Sequence, residues 1–284
     1  MTLYLGVDGG GTGCRAAVAD GSGRVLGQGA GGPANIWTDP DGALASILAA
    51  ARQALEAAAP RADPADVVAG LGLAGANVSG MAERLAPRLP FRRSRIESDA
   101  AAAVRGALGS GDGVAAAIGT GSVFGSQRDG VVRIIGGWGF QLGDHASGMA
   151  LGRALCVEAL LAHDGETGMT PVLAALLAEK GGPAGIVAWG KEARPADFAG
   201  LVPRLLAAEA AGDPAAHAIL RRADGEVARA IDRLMAEGEA PLCFLGGLGP
   251  VFALRLAERY GPLVRPALGT GLDGALALAR TLEG

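Results

Sequence analysis

The chain is poor in lysine, cysteine and aromatic residues, and each shortage limits the function or the structure that the protein can have. Its only lysines are Lys180 and Lys191 and its net charge is −4, so we do not expect it to bind nucleic acid through a basic face. Its three cysteines, Cys14, Cys156 and Cys243, are odd in number and far apart, which favours a reducing compartment over a disulfide framework. Aromatic residues make up 4%, so the core has to be built from Ala, Leu, Val and Ile.

Long apolar runs are also missing. The N-terminal residues MTLYLGVDGGG contain neither a basic region nor a long apolar segment, so they do not form a signal peptide. Gly, Asn and Ser interrupt the uncharged stretches, and none has the length of a membrane span. The three histidines are dispersed, without metal-ligand spacing, so no zinc site is predicted. We therefore expect a cytoplasmic protein with no membrane contact.

Glycine, in contrast, is abundant. The 284 residues include 48 glycines, many in short clusters between apolar runs, and half of all residues are hydrophobic. This composition is typical of a globular protein with one large domain or two ordinary ones. Because glycine lacks a Cβ, such clusters predict tight turns, some of them close to a ligand.

The order of apolar runs and turns predicts two α/β lobes with mixed sheets. Apolar runs at 3–7, 14–19 and 24–29 are separated by glycine turns, which predicts an antiparallel meander. Helical spacing over 43–58, a buried strand at 67–73, a strand at 94–98 and a helix at 100–108 follow. After a boundary at 110–113 the strand–turn–strand pattern returns at 114–127. Further on, Asp213-Pro214 predicts the N-cap and first turn of a long helix with an apolar stripe from Ile219 to Leu234. We predict an N-terminal lobe over 1–111, joined by a C-terminal helix at 273–284, and a C-terminal lobe over 112–272.

The first candidate site is Asp8-Gly9-Gly10-Gly11-Thr12-Gly13-Cys14-Arg15, between two predicted strands. A glycine turn lets backbone N–H groups approach phosphate oxygens, and a carboxylate just before it can hold Mg²⁺ through water. Thr12 adds a hydroxyl and Arg15 a positive charge. The alternative is a plain glycine-rich hairpin with a surface aspartate, but this combination of residues favours a phosphate site.

The second candidate is the turn Gly119-Thr120-Gly121-Ser122, which repeats the logic of the first turn. We predict that the two turns form a clamp for an ATP triphosphate. The segment Gly246-Gly247 follows a buried strand, where small residues would let an adenine ring lie against the backbone. An ordinary strand–helix turn is the alternative for that segment.

Asp99 stands at a predicted strand-to-helix junction, in Glu97-Ser98-Asp99-Ala100. Asp and Ser both favour the N-cap of a helix, so a purely structural role is one interpretation. The position of Asp99 between the two phosphate turns favours a second: it accepts the proton of an attacking hydroxyl during phosphoryl transfer.

Residues 136–148 alternate glycines with bulky side chains and lead to Asp144 and His145 before a predicted helix. This pattern predicts a shaped loop around a polyol, with Asp144 as a hydrogen-bonding partner. Asp144 could instead be only the N-cap of that helix.

Two other nucleotide motifs are excluded. The only Gly-Lys pair, Gly190-Lys191, precedes Glu192 rather than Ser or Thr, so there is no P-loop. A dinucleotide fingerprint would need glycine at Cys14 and a following helix, whereas residues 16–19 have the pattern of a strand.

These segments, in this order, resemble the sugar-kinase/Hsc70/actin superfamily over essentially the whole chain. More closely they resemble the group of N-acetylglucosamine kinases, bacterial glucosamine kinases and BadF/BadG/BcrA/BcrD ATPases. The resemblance implies an α/β, two-lobed actin-like ATPase (ribonuclease H-like) fold, each lobe a mixed sheet flanked by helices. It also implies ATP and Mg²⁺ as cofactors, an amino sugar as substrate and a homodimer.

The resemblance assigns roles to particular residues. It makes Asp99 the catalytic base, Asp8 to Arg15 and Gly119 to Ser122 the two phosphate loops, and Gly246-Gly247 part of the adenosine segment. In the predicted mechanism Asp8 also helps to orient the metal. Ala34-Asn35-Ile36-Trp37 resembles the sugar-contacting loop, with Asn35 as the polar contact, and Asp144 corresponds to a second sugar-binding aspartate.

Other stretches, such as Leu160-Leu161-Ala162-His163-Asp164-Gly165, look like bacterial glucosamine kinase in particular. The predicted function is therefore phosphorylation of the 6-hydroxyl of glucosamine, with N-acetylglucosamine kinase as an alternative. Val123 and His145 depart from some relatives, which have Asn and Glu at these positions. A BadF-type ATPase acting on another partner is a further alternative, although three scattered cysteines do not favour an iron–sulfur cluster within one chain. A sugar-sensing regulator would carry an additional helix-turn-helix.

Overall fold

Residues 2–283 are described by a computed structural model, and within them there are nine strands and twelve α-helices. The strands are β1 (Tyr4–Gly9), β2 (Cys14–Ala19), β3 (Val25–Gly31), β4 (Val68–Leu73), β5 (Arg93–Ser98), β6 (Gly113–Ile118), β7 (Ser122–Arg128), β8 (Val131–Gly136) and β9 (Leu242–Leu245). The helices are α1 (Pro40–Ala58), α2 (Met81–Leu85), α3 (Asp99–Leu108), α4 (Gly148–His163), α5 (Pro171–Lys180), α6 (Pro183–Glu192), α7 (Pro195–Ala199), α8 (Val202–Ala210), α9 (Pro214–Leu234), α10 (Gly249–Arg255), α11 (Ala257–Tyr260) and α12 (Gly271–Arg280).

The first sheet has the order β3-β2-β1-β4-β5 and is mixed. The short turns after β1 and β2 make β1, β2 and β3 antiparallel, so the predicted meander is confirmed. The longer connections through α1 and α2 return the chain parallel, pairing β1 with β4 and β4 with β5. The carboxyl ends of β1, β4 and β5 therefore lie at one edge of this sheet, which is where ligands bind in open α/β sheets.

The second sheet has the order β8-β7-β6-β9. Helix α9 has the capping predicted from its sequence: the Asp213 side chain accepts from the N–H groups of Ala215 and Ala216, and Pro214 is the first helical residue. Its predicted apolar stripe, from Ile219 to Leu234, is buried. Each large side chain in such a stripe stabilises the fold by about 1.5–3 kcal/mol through its removal from water.

Many of the glycines lie where helices contact strand or helix backbone, not in turns. A Cβ on Gly29 of β3 would come 2.2 Å from the Ala50 carbonyl oxygen of α1. A Cβ on Gly106 of α3 would come 1.7 Å from the carbonyl oxygen of Thr270, just before α12. Replacing these glycines would push the helices away from their neighbours, so part of the high glycine content reflects close packing.

The chain packs as two compact units. The first comprises residues 1–115, 125–134 and 265–284, and the second residues 116–124 and 135–264. Among residues 2–283 no single helix is long and apolar enough to cross a membrane. Helices α5 and α6 reach the required length and composition only as a pair bent by 72°.

Candidate active site

The first glycine turn connects β1 to β2 in the first unit. It is closed by a hydrogen bond from the Gly10 N–H to the Gly13 carbonyl oxygen (2.9 Å), and a second bond from the Ala34 N–H to the Gly10 carbonyl (2.9 Å) attaches the turn to the next loop. A Cβ on Gly11 would meet nothing within 4 Å, so there is open space above the backbone there. The predicted phosphate turn is thus anchored at its ends and open at its middle.

Asp8 stands beside this turn and lies close to Arg15 and to the start of α12. Asp8 and Arg15 are opposite each other in the β1–β2 register, and the Arg15 Nη2 atom lies 2.8 Å from Oδ2 of Asp8. A Cβ on Gly271 would lie 3.1 Å from Oδ1, so the carboxylate also faces the first turn of α12. The partial positive charge of a helix N-terminus stabilises an anion at this position.

A carboxylate with one oxygen paired to arginine and a side chain that is 20% exposed fits a divalent cation held largely through water. Asp8 is therefore suited to orient Mg²⁺. That role is a prediction.

Asp99 is the first residue of α3, and it does not cap the helix. The cap is Ser98, whose Oγ accepts from the Ala101 N–H (3.1 Å), so an N-cap role for Asp99 is wrong. The Asp99 Oδ1 atom accepts from the Ala100 N–H (2.9 Å). Burial raises the pKa of Asp99 above its ordinary value, and the Asp8 carboxylate raises it further. Two predicted site carboxylates thus interact electrostatically at the carboxyl ends of parallel strands.

An ion pair that was not predicted from the sequence connects the end of β5 to α3, next to Asp99. Arg105 on α3 donates through Nε to Oε2 of Glu97 (2.9 Å) and through Nη2 to Oε1 (3.2 Å). Both side chains are mostly buried, which strengthens a bidentate pair of this kind. The pair joins the end of β5 to α3 and fixes the segment that carries Asp99. Its sequence signal was weak because the partners are eight residues apart on different elements.

Asn35 and Trp37 lie in the loop between β3 and α1. The Asn35 Oδ1 atom accepts from the N–H groups of Trp37 (3.0 Å) and Thr38 (3.2 Å), so the side chain shapes its own loop. It also approaches the position of a Cβ on Gly75, just beyond β4. Only the Asn35 amide NH₂ remains to donate to a sugar oxygen, while the Trp37 side chain is 58% exposed.

The second glycine turn, Gly119 to Ser122, connects β6 to β7 in the second unit and is hydrogen-bonded to the N-terminus of α4. The N–H groups of Gly148 and Met149, the first two residues of α4, donate to the carbonyl oxygens of Gly119 (2.8 Å) and Thr120 (3.1 Å). The Gly119 N–H donates to the Gly121 carbonyl oxygen (2.8 Å). Three carbonyl groups of the turn are therefore engaged within the protein.

Asp144 lies against this turn and, like Asp99, is not a helix cap. Ser147 caps α4, with its side chain accepting from the Ala150 N–H (3.2 Å), so the N-cap alternative for Asp144 is wrong. A Cβ on Gly121 would lie 2.7 Å from the Asp144 Oδ2 atom. Burial raises the pKa of Asp144, and the backbone N–H groups of Gly139 and Ser122 partly oppose this by hydrogen bonding to the carboxylate.

The backbone of this loop adopts an uncommon conformation. Asp144 and Ala146 have φ angles of 57° and 59°, in the left-handed region. The carbonyl of His145, between them, accepts from the Ser122 hydroxyl (2.6 Å). Strained non-glycine residues of this kind persist where the surrounding structure holds them, often at ligand sites.

The adenosine segment predicted at Gly246-Gly247 adjoins the same turn. Gly246 has a φ of 79°, and a Cβ there would come 2.5 Å from the Ile118 carbonyl oxygen, so only glycine fits. The Leu248 N–H donates to that carbonyl (2.9 Å). Gly247 has nothing within 4 Å of its Cβ position. This leaves open space beside the Gly247 backbone, next to the second turn.

Each unit therefore brings several predicted site residues together. In the first unit these are Asp8, the first glycine turn, Arg15 and Asp99, with Asn35 beside the end of β4. In the second unit they are the turn from Gly119 to Ser122, Asp144 and Gly246-Gly247. The roles of these residues in binding and catalysis stay predictions.

Known proteins resemble the chain over nearly its full length. A family model, the BadF/BadG/BcrA/BcrD ATPase family, matches residues 5–250. The glucosamine kinase GspK of Vibrio cholerae serotype O1 is 30% identical over 287 residues, covering 98% of this chain and 96% of that protein.

Solved structures agree with the sequence matches. The structure of a Chromobacterium violaceum protein assigned as an N-acetylglucosamine kinase has a TM-score of 0.84 and 32% identity, with 98% of this chain and 99% of that one covered. A ROK family glucokinase from Streptomyces griseus, in complex with glucose and AMPPNP, has a TM-score of 0.54 and 22% identity over 99% and 100% of the two chains, and shares the fold alone.

The two mixed sheets flanked by helices, each with its glycine turn, define an ATPase of the actin-like class, so the predicted fold class is confirmed. The chain belongs to the BadF/BadG/BcrA/BcrD ATPase family.

Proposed function

We propose that the chain is an ATP-dependent amino-sugar kinase that transfers the γ-phosphoryl group of ATP to the 6-hydroxyl of glucosamine. The observation that carries this proposal is Asp99, a half-buried carboxylate held just beyond the carboxyl end of β5, in a chain 30% identical to a glucosamine kinase along nearly its whole length. An N-acetylglucosamine kinase is the alternative, since a structural relative at 32% identity carries that assignment.

In the proposed reaction the sugar 6-oxygen attacks the γ-phosphorus in line. The new O–P bond forms as the bond to the ADP oxygen breaks, and the hydroxyl proton passes to the Asp99 carboxylate. Because burial raises the pKa of Asp99 towards the working pH, the carboxylate is a better proton acceptor than an exposed aspartate. The Ala100 hydrogen bond and the Glu97–Arg105 pair keep the side chain in position.

The remaining residues bind and orient the substrates. Backbone N–H groups of the two glycine turns bind phosphate oxygens, and Gly246-Gly247 supports the adenosine. Asn35, through its amide NH₂, and Asp144 hold the sugar, with Trp37 as an apolar surface. Mg²⁺ near Asp8, when bound, neutralises charge that develops on the phosphates.

The side chain of Val123 supports glucosamine as the preferred acceptor. Its Cγ2 atom would lie 3.1 Å from a Cβ on Gly137, so Val123 packs against the start of the predicted sugar loop. Val123 offers no donor to an acetamido carbonyl, and leaving such a carbonyl without a partner costs about 1–3 kcal/mol.

An iron–sulfur ATPase activator is less well supported. Cys14, Cys156 and Cys243 are all buried, and burial raises the pKa of each thiol, for Cys14 and Cys156 to about 11. Raised pKa values disfavour the thiolate form that ligates iron. The expected homodimer and cytoplasmic location stay predictions; light scattering on the purified chain tests the first.

The proposal is tested by ADP release with glucosamine, N-acetylglucosamine, glucose, 6-deoxyglucosamine or no sugar. We expect the highest kcat/KM with glucosamine and only background release with 6-deoxyglucosamine, which lacks the accepting oxygen. Equal ADP release with and without sugar would refute kinase activity, and turnover of 6-deoxyglucosamine would refute the 6-hydroxyl as acceptor.

A further inference from the structure

Helix α9 carries charged side chains along one face. Arg222, Glu226, Arg229 and Arg233 follow one another at intervals of four, three and four residues, which aligns them along the helix axis. We call these four residues the α9 charge row. Its three arginines are exposed and Glu226 is half-buried. Within residues 2–283, none of the four side chains takes part in an ion pair.

The other carboxylates of α9 are bound to arginines from elsewhere. Arg255 donates to both oxygens of Asp224 at 2.8 Å, and the Nη2 atom of Arg259 lies 2.6 Å from Oδ2 of Asp232. These aspartates therefore do not neutralise the row. With three arginines and one glutamate, the row has a formal charge of +2 in a chain whose net charge is −4.

The row borders a cavity that lies between α9 and the strands β7 and β8, inside the second unit. The cavity has a volume of about 360 Å³, and its walls include Phe124, Ile135, His145, Glu226, Arg229 and Arg233. A neighbouring cavity of about 290 Å³ shares His145 and Glu226 with it and reaches Arg222. The first cavity is therefore large enough for a small molecule.

The walls of this cavity offer three kinds of contact. Arg229 and Arg233 are one helical turn apart, and guanidinium groups direct pairs of N–H donors at phosphate oxygens. Glu226 lies on the same face and accepts from an ammonium or hydroxyl group. Phe124 and Ile135 supply an apolar wall for the C–H groups of a sugar ring. A small phosphorylated sugar uses all three contacts, and the Glu226 carboxylate favours one that carries an amino group.

We propose that this cavity is a second binding site, which takes a phosphorylated amino sugar with its phosphate on Arg229 and Arg233 and its ammonium group on Glu226. The inference rests on the proposed function, because the proposed reaction produces a compound of this class. His145 lies in the cavity wall, next to Asp144 in the chain, and its carbonyl accepts from the Ser122 hydroxyl (2.6 Å). A ligand at the second site therefore contacts the loop that carries Asp144.

The test is calorimetric titration of glucosamine 6-phosphate into the full chain, with glucosamine and Mg-AMPPNP at saturation so that the catalytic site is occupied. We expect one binding event per chain. The double variant Arg229→Gln/Arg233→Gln should raise its Kd at least about 10-fold, because charged hydrogen bonds to the phosphate are lost. An unchanged Kd in the double variant, or no binding to the unmodified chain, overturns the inference. So does a Kd that rises in proportion to the glucosamine concentration, which would place the ligand in the catalytic site.

The role of Glu226 is tested with glucose 6-phosphate, which lacks the amino group. The unmodified chain should bind it about 3- to 10-fold more weakly than glucosamine 6-phosphate, and Glu226→Gln should reduce this difference below twofold. Equal affinity of the unmodified chain for the two sugar phosphates would refute the assignment to an amino sugar.

Arg221→Gln is the matched control, since Arg221 is an exposed arginine of α9 that lies outside the row. It should bind glucosamine 6-phosphate within twofold of the unmodified chain. Light scattering on the double variant checks the other role of an exposed row: a changed particle mass would make it a subunit contact and overturn the inference. Initial kinase rates without added product should be equal in all variants. Phosphorylation of glucosamine without second-site binding refutes only this inference, whereas absent phosphorylation by the unmodified chain refutes the proposed function.

Discussion

Replacing Asp99 with asparagine should lower activity and raise stability at the same time. The variant keeps the size of the side chain, an oxygen to accept from the Ala100 N–H at 2.9 Å, and the separate cap supplied by Ser98. What it loses is the proton acceptor. Loss of a general base lowers kcat by about 10²–10⁴-fold, which corresponds to ~2.7–5.4 kcal/mol of transition-state stabilisation.

The stability effect follows from the raised pKa of Asp99. Burial and the Asp8 carboxylate make the folded protein bind this proton more tightly than the unfolded chain does. The free energy of unfolding of the unmodified chain therefore falls as pH rises from the ordinary aspartate pKa through the raised pKa of Asp99. Above the raised pKa, the full cost of holding an ionised Asp99 in the folded protein is present. Asparagine has no such cost. Relief of an unfavourable active-site group stabilises by about 0.5–2 kcal/mol, and the gain should vanish below about pH 4.

Both effects are measured on one set of proteins. Initial rates at saturating glucosamine and Mg-ATP give kcat, and urea unfolding at neutral and acid pH gives the free energy of unfolding. Asp66→Asn, an exposed aspartate in the same unit, is the control and should change neither. In the unmodified chain, kcat/KM should fall with decreasing pH through the raised pKa of Asp99. A kcat within threefold of the unmodified value would remove Asp99 from the mechanism, and a loss of stability would make it a structural residue.

Three further changes test other parts of the structure. Asp8→Ala should lower Mg-ATP turnover at least ~10²-fold while glucosamine binding without nucleotide persists; unchanged Mg-AMPPNP affinity together with unchanged turnover would contradict this. Val123→Asn, which places an amide beside Gly137, should shift the kcat/KM ratio of N-acetylglucosamine to glucosamine upward by about 10-fold, and an unchanged ratio would show that this side chain does not select the sugar. Gly29→Ala should lower the free energy of unfolding by about 1–3 kcal/mol because its Cβ would meet the Ala50 carbonyl, whereas Gly168→Ala, with open space around it, should not; equal effects would refute the packing argument.

The sequence predicted best the elements whose signals are local. Apolar runs ended by glycine clusters located the strands of both sheets, and the Asp213-Pro214 pair located the start of α9. Helices α6, α7 and α8 were not predicted, because each has fewer than three turns and starts near a proline. A short run of Ala, Gly and Pro has little periodicity of its own, and its helical form depends on its neighbours.

The residues of the candidate site could be predicted from the sequence, but their contacts with one another could not. Glycine clusters and aspartates at strand ends can be recognised along a sequence. The sequence does not show that Ser98 and Ser147, not Asp99 and Asp144, cap α3 and α4. Which residue caps each helix depends on which one has extended rather than helical φ and ψ angles, as Ser98 and Ser147 do. Contacts such as the Asp144 carboxylate over Gly121 join residues 23 positions apart, and only the folded chain specifies them.

Helix α12 has a consequence for biosynthesis. It covers β1 and β4 and packs along α3, with Gly6 and Gly70 allowing close approach, yet it leaves the ribosome only after the whole second unit. About 156 residues separate the end of the first segment of the first unit from the start of α12. At ~5–20 residues per second, translation of that stretch takes roughly 8–30 s. During that interval the apolar surfaces of β1, β4 and α3 that α12 covers remain exposed to solvent, while the second unit can complete its own folding. The first unit is therefore completed only after the second unit has been synthesised, and its apolar surface is open to chaperone binding during that interval.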